Sequence, residues 1–305
     1  MTSLRVLMIG DVVGDPGLQA LEKRLPGLIA GYGADLTVVN GENAAGGFGL
    51  TEETLDRILA AGADVVTGGN HIWEKREFWP ILENTVFGGK PVLRPANYPA
   101  IALEDIPGGA EAGGGMAVPG TGWLQLERKG LTLIVMNLQG RELMPPIDCP
   151  FRCFDRVMEN YSGAAAKYHP ILSPEGAPAV PGLFPLVIVD FHAESTEEKE
   201  ALAYYLDGRA AIVAGTHTHI QTADERILPR GTAYITDLGM TGAKNSVIGM
   251  DIEICLDRAR TQIPRHLECA VPVPEENWLI QGIIVELDGE NGGAVSISRI
   301  SGPPP

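Results

Sequence analysis

The sequence predicts an α/β protein with largely parallel strands. Two observations carry this. Short apolar runs rich in β-branched residues recur along the 305-residue chain, each closed by a polar cluster. Helical periodicity fills several of the gaps between them, and strand–helix alternation of this kind builds parallel sheets. Taken in order, "LRVLMIG" is the first strand and ends at Asp11. "PGLQALEKRLPGLIAGYG" then spaces Leu18, Leu21, Leu25 and Leu28 as a helix does, although Pro26 argues against one unbroken helix. "LTVVN" leads to Gly41, Glu42 and Asn43. "TEETLDRILAAG" offers Thr51 as N-cap, acids in its first turn and Gly62 as its stop. "ADVVTGG" leads to Asn70 and His71, "LTLIVMN" to Leu138, Gln139 and Gly140, and "PLVIVD" to Phe191 and His192.

"STEEKEALAYYLDG" reads as a helix opened by a capping box of Ser195 and Glu198 and closed by Gly208. "AAIVAG" leads to His217 and His219, and "TAYIT" to Asp237. "NWLIQGIIVELD" and "GAVSISRIS", joined by "GENGG", read as an antiparallel pair at one edge or in a second sheet. Residues 105–117 are Gly-rich. Residues 161–185, rich in Pro, Gly and Ala, read as an irregular excursion from a single domain spanning 1–305.

A net charge of −16 argues against a long groove for duplex nucleic acid, where affinity rests on neutralising many phosphates. It leaves open a small phosphate ester held by cations, which reverse the local field. Cys149, Cys153, Cys255 and Cys269 form no C-x-x-C pair and read as free thiols of a reducing cytoplasm. No apolar run reaches the length of a membrane span, and the N-terminal run is too short for a signal peptide.

The strand ends supply Asp11, Glu42, Asn43, Asn70, His71, His192, His217 and His219, and so gather four of the six histidines. Ligands of open α/β sheets bind outside the carboxyl ends of strands. Taken singly, each residue has a plainer explanation: Asp11 a cap, Glu42 and Asn43 a solvated loop, Asn70 a turn, the histidines ordinary structural ones. Together, carboxylate, amide and imidazole suit zinc, manganese or iron. If "GTHTH" stays extended, His217 and His219 point the same way about 7 Å apart. Asp190, Asp224 and Asp237 are candidates to receive the second nitrogen of a ligating imidazole, or are plain turn residues. Phe48, Trp73 and Phe191 are candidates for stacking on a base, with core packing the simpler role for each.

The stretches "IGDVVGDPG", "VVNGENAAGGFGL", "TGGNHIWEKRE", "NLQGRELMPPIDCPF", "VDFHAESTEEKEAL" and "GTHTHIQTADERILPRGTAYITDLGMTG" occur in this order between residues 8 and 242. The sequence thereby resembles the calcineurin-like metallophosphoesterases and, more closely, their YmdB-like branch. It departs from the wider superfamily where Val13 replaces the usual histidine of the opening motif, Glu42 the bridging aspartate, and Ile72 the acid after G-N-H. Those departures follow the branch's own pattern, and the 161–185 excursion looks longer than the branch carries.

The resemblance implies a β-sandwich of two mixed sheets flanked by helices, a four-layer αββα fold. It implies two divalent or trivalent metal ions bridged by Glu42, iron first, with manganese or zinc the alternatives. Asp11, Asn43 and His219 would complete one site. Asn70, His192 and His217 would complete the other. His71 would stay off the metals as the catalytic residue facing the phosphate. The implied activity is a phosphodiesterase using a metal-bridging hydroxide on a small substrate, cyclic nucleotides and best 2′,3′-cyclic nucleotides. A phosphomonoesterase and a regulatory RNA-associated protein are the alternatives. A homo-oligomer is compatible with the sequence.

Overall fold

A computed structural model describes residues 3–85, 89–99, 118–159, 185–271 and 273–302. In chain order the elements are β1 (Ser3–Ile9), β2 (Asp11–Val12), α1 (Gly14–Tyr32), β3 (Leu36–Asn40), α2 (Glu52–Ala60), β4 (Val65–Thr67), α3 (Trp79–Thr85), β5 (Val92–Leu93), β6 (Trp123–Arg128) and β7 (Leu131–Gln139). Then follow α4 (Pro150–Glu159), β8 (Leu186–His192), α5 (Thr196–Leu206), β9 (Ile212–Thr216), β10 (Arg226–Ile227), β11 (Ala233–Ile235) and β12 (Met240–Ala243). The last are α6 (Ile252–Thr261), β13 (Trp278–Leu279), β14 (Gln281–Asp288) and β15 (Ala294–Ser301). The Gly-rich 105–117 stretch and all but the last residue of the 161–185 excursion lie outside the described residues.

Among the described residues two six-stranded sheets form, in the orders β15-β14-β1-β3-β4-β5 and β10-β11-β9-β8-β7-β6. Each has a parallel centre with antiparallel strands at its margin: β14 and β15 on the first, β6 and β10 on the second. The expected antiparallel pair joined by "GENGG" is β14–β15, at the edge of the first sheet. A small third sheet, β13-β12-β2, joins Asp11 to Met240.

Strand periodicity assigns the layers. Leu4, Val6 and Met8 of β1 face Leu133, Val135, Ile188 and Ile212 of the other sheet and form the sandwich core. Leu7 and Ile9 point the opposite way, against Leu18, Leu21, Leu25 and Leu28 of α1 and Ile58 of α2. On the far side Val187, Val189 and Phe191 pack against Phe154 of α4 and Leu202 and Leu206 of α5. The result is the four-layer αββα arrangement the sequence resemblance implied. The same alternation continued toward the carboxyl ends of the strands turns the inter-sheet face polar. It presents Asn40, Thr67, Asn137, Gln139, Asp190, His192 and Thr216, all buried.

Three local expectations change. α1 runs unbroken through Pro26, which lies on its exposed face, and the buried leucine stripe outweighs the lost hydrogen bond. Thr51 caps α2 with the reciprocal bonds of a capping box. At α5, however, only half the box forms. Ser195 accepts from the Glu198 N–H, but the Glu198 carboxylate goes instead to the backbone N–H groups of Arg141 and Glu142. The "GTHTH" segment does not stay extended: β9 ends at Thr216, and His217 and His219 take φ of 103° and 64°.

Candidate metal centre

The polar end of the inter-sheet space holds the centre. β3 delivers Glu42 through a turn whose N–H, at Glu42, is held by the Asn40 side chain at 3.1 Å. β8 ends on His192, which is fully buried. After β9 the chain bends back so that the His217 N–H reaches Asp11 Oδ2 at 3.2 Å. After β4 the chain passes so close that a Cβ on Gly69 would collide with Glu42 Oε2 and His192 Nε2, so only glycine fits there.

Around His192 Nε2 stand Glu42 Oε1 at 2.9 Å, Asn70 Oδ1 at 3.1 Å and His217 Nδ1 at 2.9 Å. One ring nitrogen cannot satisfy three electron-pair donors with a single proton. Glu42, His192 and His217 together bring three ligand atoms within 4.8 Å of one another. Asp11 Oδ1, Glu42 Oε1 and Asn43 Oδ1 are buried and have no hydrogen-bond partner. Glu42 Oε1 touches the imidazole without the alignment of a hydrogen bond. Buried acceptors left unpaired are costly unless a cation serves them. The donor set, carboxylate, amide oxygen and imidazole, fits divalent metal ions.

The electrostatics point the same way. Burial pushes Asp11 up to about 6 against the pull of His219 and His192. Burial also acts to raise Glu42, but the charge and close approach of His192 hold it down at about 2. Burial opposes the charge on both imidazoles. For His192 it is overcome by Glu42 and then Asp11, which lift it to about 9. For His217 burial and the neighbouring His192 act together and depress it to about 3. A cation would replace these conflicting demands with one, keeping both imidazoles unprotonated as ligands require.

Hydrogen bonds behind the imidazoles fix which nitrogen faces the centre. His192 Nδ1 lies 3.0 Å from Thr216 Oγ1, which donates to Asp190 Oδ1 at 2.7 Å. The Nδ1 proton is therefore directed at the threonine oxygen, so that in the neutral ring a cation would require it is Nε2 that is bare. His219 Nδ1 donates to the Ile248 carbonyl at 2.8 Å. His217 presents Nδ1 inward and places Nε2 3.2 Å from Glu194.

Of the three candidate aspartates, none touches an imidazole's second nitrogen. Asp190 acts through Thr216 and also takes hydrogen bonds from Thr67 and Asn40. Asp237 binds the Thr218 N–H and hydroxyl and pairs with Lys199 at 2.7 Å, both charges buried. Asp224 serves a turn, taking the N–H and hydroxyl of Thr236. Asn40, Thr67, Thr216, Glu194 and the Ile248 carbonyl were not singled out from the sequence. The readable signal for the first three was a polar residue at the last inward position of an apolar run.

His71 stands apart from the ligand cluster. Its N–H donates to Glu42 Oε2 at 3.1 Å, while its ring lies 3.3 Å from Glu74 and edge-on to Phe48. Phe191 is buried in the outer core, and Trp73 packs on Trp79 and Tyr98. The four cysteines are free thiols. Among the described residues no helix is long and apolar enough to cross a membrane.

A family model described as YmdB-like protein matches residues 7–300. The chain belongs to the YmdB-like family. It is 39% identical over 297 residues to a 2′,3′-cyclic-nucleotide 2′-phosphodiesterase of Bacillus subtilis, covering 97% of this chain and 96% of that protein. Among solved structures it is similar to a hypothetical protein from Thermus thermophilus, at 38% identity and a TM-score of 0.76, covering 99% of this chain and 100% of the other. It is also similar to a novel phosphatase from Mycoplasma pneumoniae, at 28% identity and a TM-score of 0.79, covering 99% and 94%.

Proposed function

We propose that this chain is a metal-dependent phosphodiesterase that hydrolyses cyclic nucleotides, 2′,3′-cyclic nucleotides foremost. The observation that carries the reading is the set of three buried oxygens that accept no hydrogen bond, on Asp11, Glu42 and Asn43, beside imidazole nitrogens oriented toward the same space. The similarity to the Bacillus subtilis phosphodiesterase over nearly the whole of both chains supports the substrate class.

In this reading Glu42 would serve both of two metal ions. Asp11, Asn43 and His219 complete one site, and Asn70, His192 and His217 the other. Iron is the favoured metal, with manganese and zinc accepted by the same donors. When bound, the ions supply positive charge for the phosphoryl oxygens and acidify water for attack on phosphorus.

The chain's own residues do the rest. The Thr216 and Ile248 contacts keep the Nε2 atoms of His192 and His219 free of protons. The Glu42 bond to the His71 N–H fixes where His71 enters. His71, partly exposed and outside the ligand cluster, would hydrogen-bond the phosphoryl group or protonate the leaving oxygen. His71→Ala is expected to keep its metal and lose about 10²–10⁴ in turnover; loss of metal in that variant would overturn the role.

The similarity to a phosphatase favours one second reading, a phosphomonoesterase. Metal content by mass spectrometry, with turnover of 2′,3′-cyclic AMP beside a nitrophenyl monoester, with and without chelator, decides between them. About two metals per chain and chelator-sensitive opening of the cyclic ester are expected. Metal with activity on the monoester alone would replace the diesterase reading. No metal after reconstitution would remove both.

A further inference from the structure

We infer that the substrate's nucleobase is received in a cavity on the α5 side of the centre, and that this cavity prefers guanine. The inference rests on the phosphodiesterase reading for its substrate class. The cavity, of about 240 Å³, is lined by Arg141, Glu142, Phe151, Glu197, Glu198 and Ala201. Its wall is tied by backbone to the end of β8, the strand that delivers His192. The Gly140 N–H donates to the His192 carbonyl at 2.9 Å, and Gly140 packs directly on Ala193 and the Glu198 carboxylate. On the same side Glu194, at the start of the turn into α5, lies 3.2 Å from His217.

The lining charges are uncommitted. Among the described residues the side chains of Arg141, Glu142 and Glu197 have no ion-pair partner and no hydrogen bond. Arg141 shares its cavity with carboxylates and still pairs with none of them. The third carboxylate, Glu198, is buried and already engaged. It grips the N–H groups of Arg141 at 2.9 Å and Glu142 at 3.1 Å and so fixes the strand exit from which both side chains project.

A free guanidinium and a phenyl ring offer stacking surfaces for a base, and two free carboxylates offer acceptors for its edge. Guanine presents adjacent N–H donors that one carboxylate can accept together. Uracil presents one N–H between two carbonyl oxygens, which carboxylates repel.

The test is a comparison of KM for 2′,3′-cyclic GMP and 2′,3′-cyclic UMP, joined to calorimetric binding of 3′-GMP and 3′-UMP to the full chain. The wild type is expected to favour guanine about tenfold, the contribution of one charge-assisted hydrogen bond. Glu142→Gln combined with Glu197→Gln should erase that preference by raising KM for cyclic GMP to the value for cyclic UMP. Arg141→Ala should raise KM for both bases alike. Equal KM values in the wild type, or variants that change kcat at constant KM, would overturn the subsite. Turnover of bis(4-nitrophenyl) phosphate separates the two readings. With that turnover present and no guanine preference, the subsite fails alone. With no diester turned over, the phosphodiesterase reading fails, and the GMP–UMP binding comparison still decides the subsite.

Discussion

The turn that carries Glu42 and Asn43 and the turn that carries His217 and His219 end at the same centre, yet opposite means hold their backbones. In the first, the left-handed positions are glycines: Gly46, Gly47 and Gly49, with φ of 68°, 93° and 82°. The loop closes on itself, with Gly47 N–H to the Asn43 carbonyl and Asn43 Nδ2 to the Gly47 carbonyl. In the second, histidines themselves adopt positive φ, at about 1–3 kcal/mol each. Glycine is not available there because the imidazoles are needed. The strain is held from outside, by the buried Lys199–Asp237 pair, the two bonds from Thr218 to Asp237 and the Asp11 bond to the His217 N–H. A turn that lends only its neighbours' side chains can be soft and self-supporting, whereas one whose strained residues are the ligands needs a rigid anchor.

The largest expected effect ignores this difference. Glu42→Ala should empty both metal sites, read as metal per chain after reconstitution; retention of one full equivalent would show that Glu42 is not shared. The next effect exposes the anchor. Lys199→Met leaves Asp237 buried without its counter-charge and should lower unfolding free energy by about 3–5 kcal/mol in urea. A loss below about 1 kcal/mol would mean that the pair does not hold the histidine turn. Thr216→Val keeps the shape but removes the hydroxyl behind His192. Metal affinity should fall about 10–100-fold in a chelator competition, with a loss of about 1–3 kcal/mol in stability because Asp190 and His192 lose a buried hydrogen-bond partner. The smallest effect tests the soft turn. Gly47→Ala places a Cβ at φ 93° and 2.9 Å from Cys269 Sγ, and should destabilise the fold by at least ~1 kcal/mol. If it matched the Lys199 effect, the two turns would not differ as described.

Most strands, and the convergence of their ends, were legible because each apolar run stops where the inter-sheet face turns polar. Position along a strand fixes side-chain direction, so His192 could be placed from local pattern alone, whereas Glu42 lies in the turn after β3 and only its nearness to a strand end was readable. What stayed hidden depends on partners distant in sequence. The half-formed capping box at α5 arises because the 140–142 strand exit offers Glu198 two N–H groups that the helix start cannot match. The bend at His217 and His219 arises because Asp11 of β2 and Asp237 of the loop after β11 bind its backbone. Asn40 and Thr67 read as the polar ends of runs, and only the meeting of two sheets reveals that both serve Asp190.

The Ile248 carbonyl that receives the His219 proton has a consequence for anyone mapping this protein by substitution. The acceptor belongs to the main chain, so replacing Ile248 by alanine leaves it in place. Glycine there would even suit the φ of 52°. An alanine scan would therefore score position 248 as tolerant although the contact orients a candidate metal ligand. Only a change in the path of the chain, such as a deletion between 245 and 249, would reveal its importance.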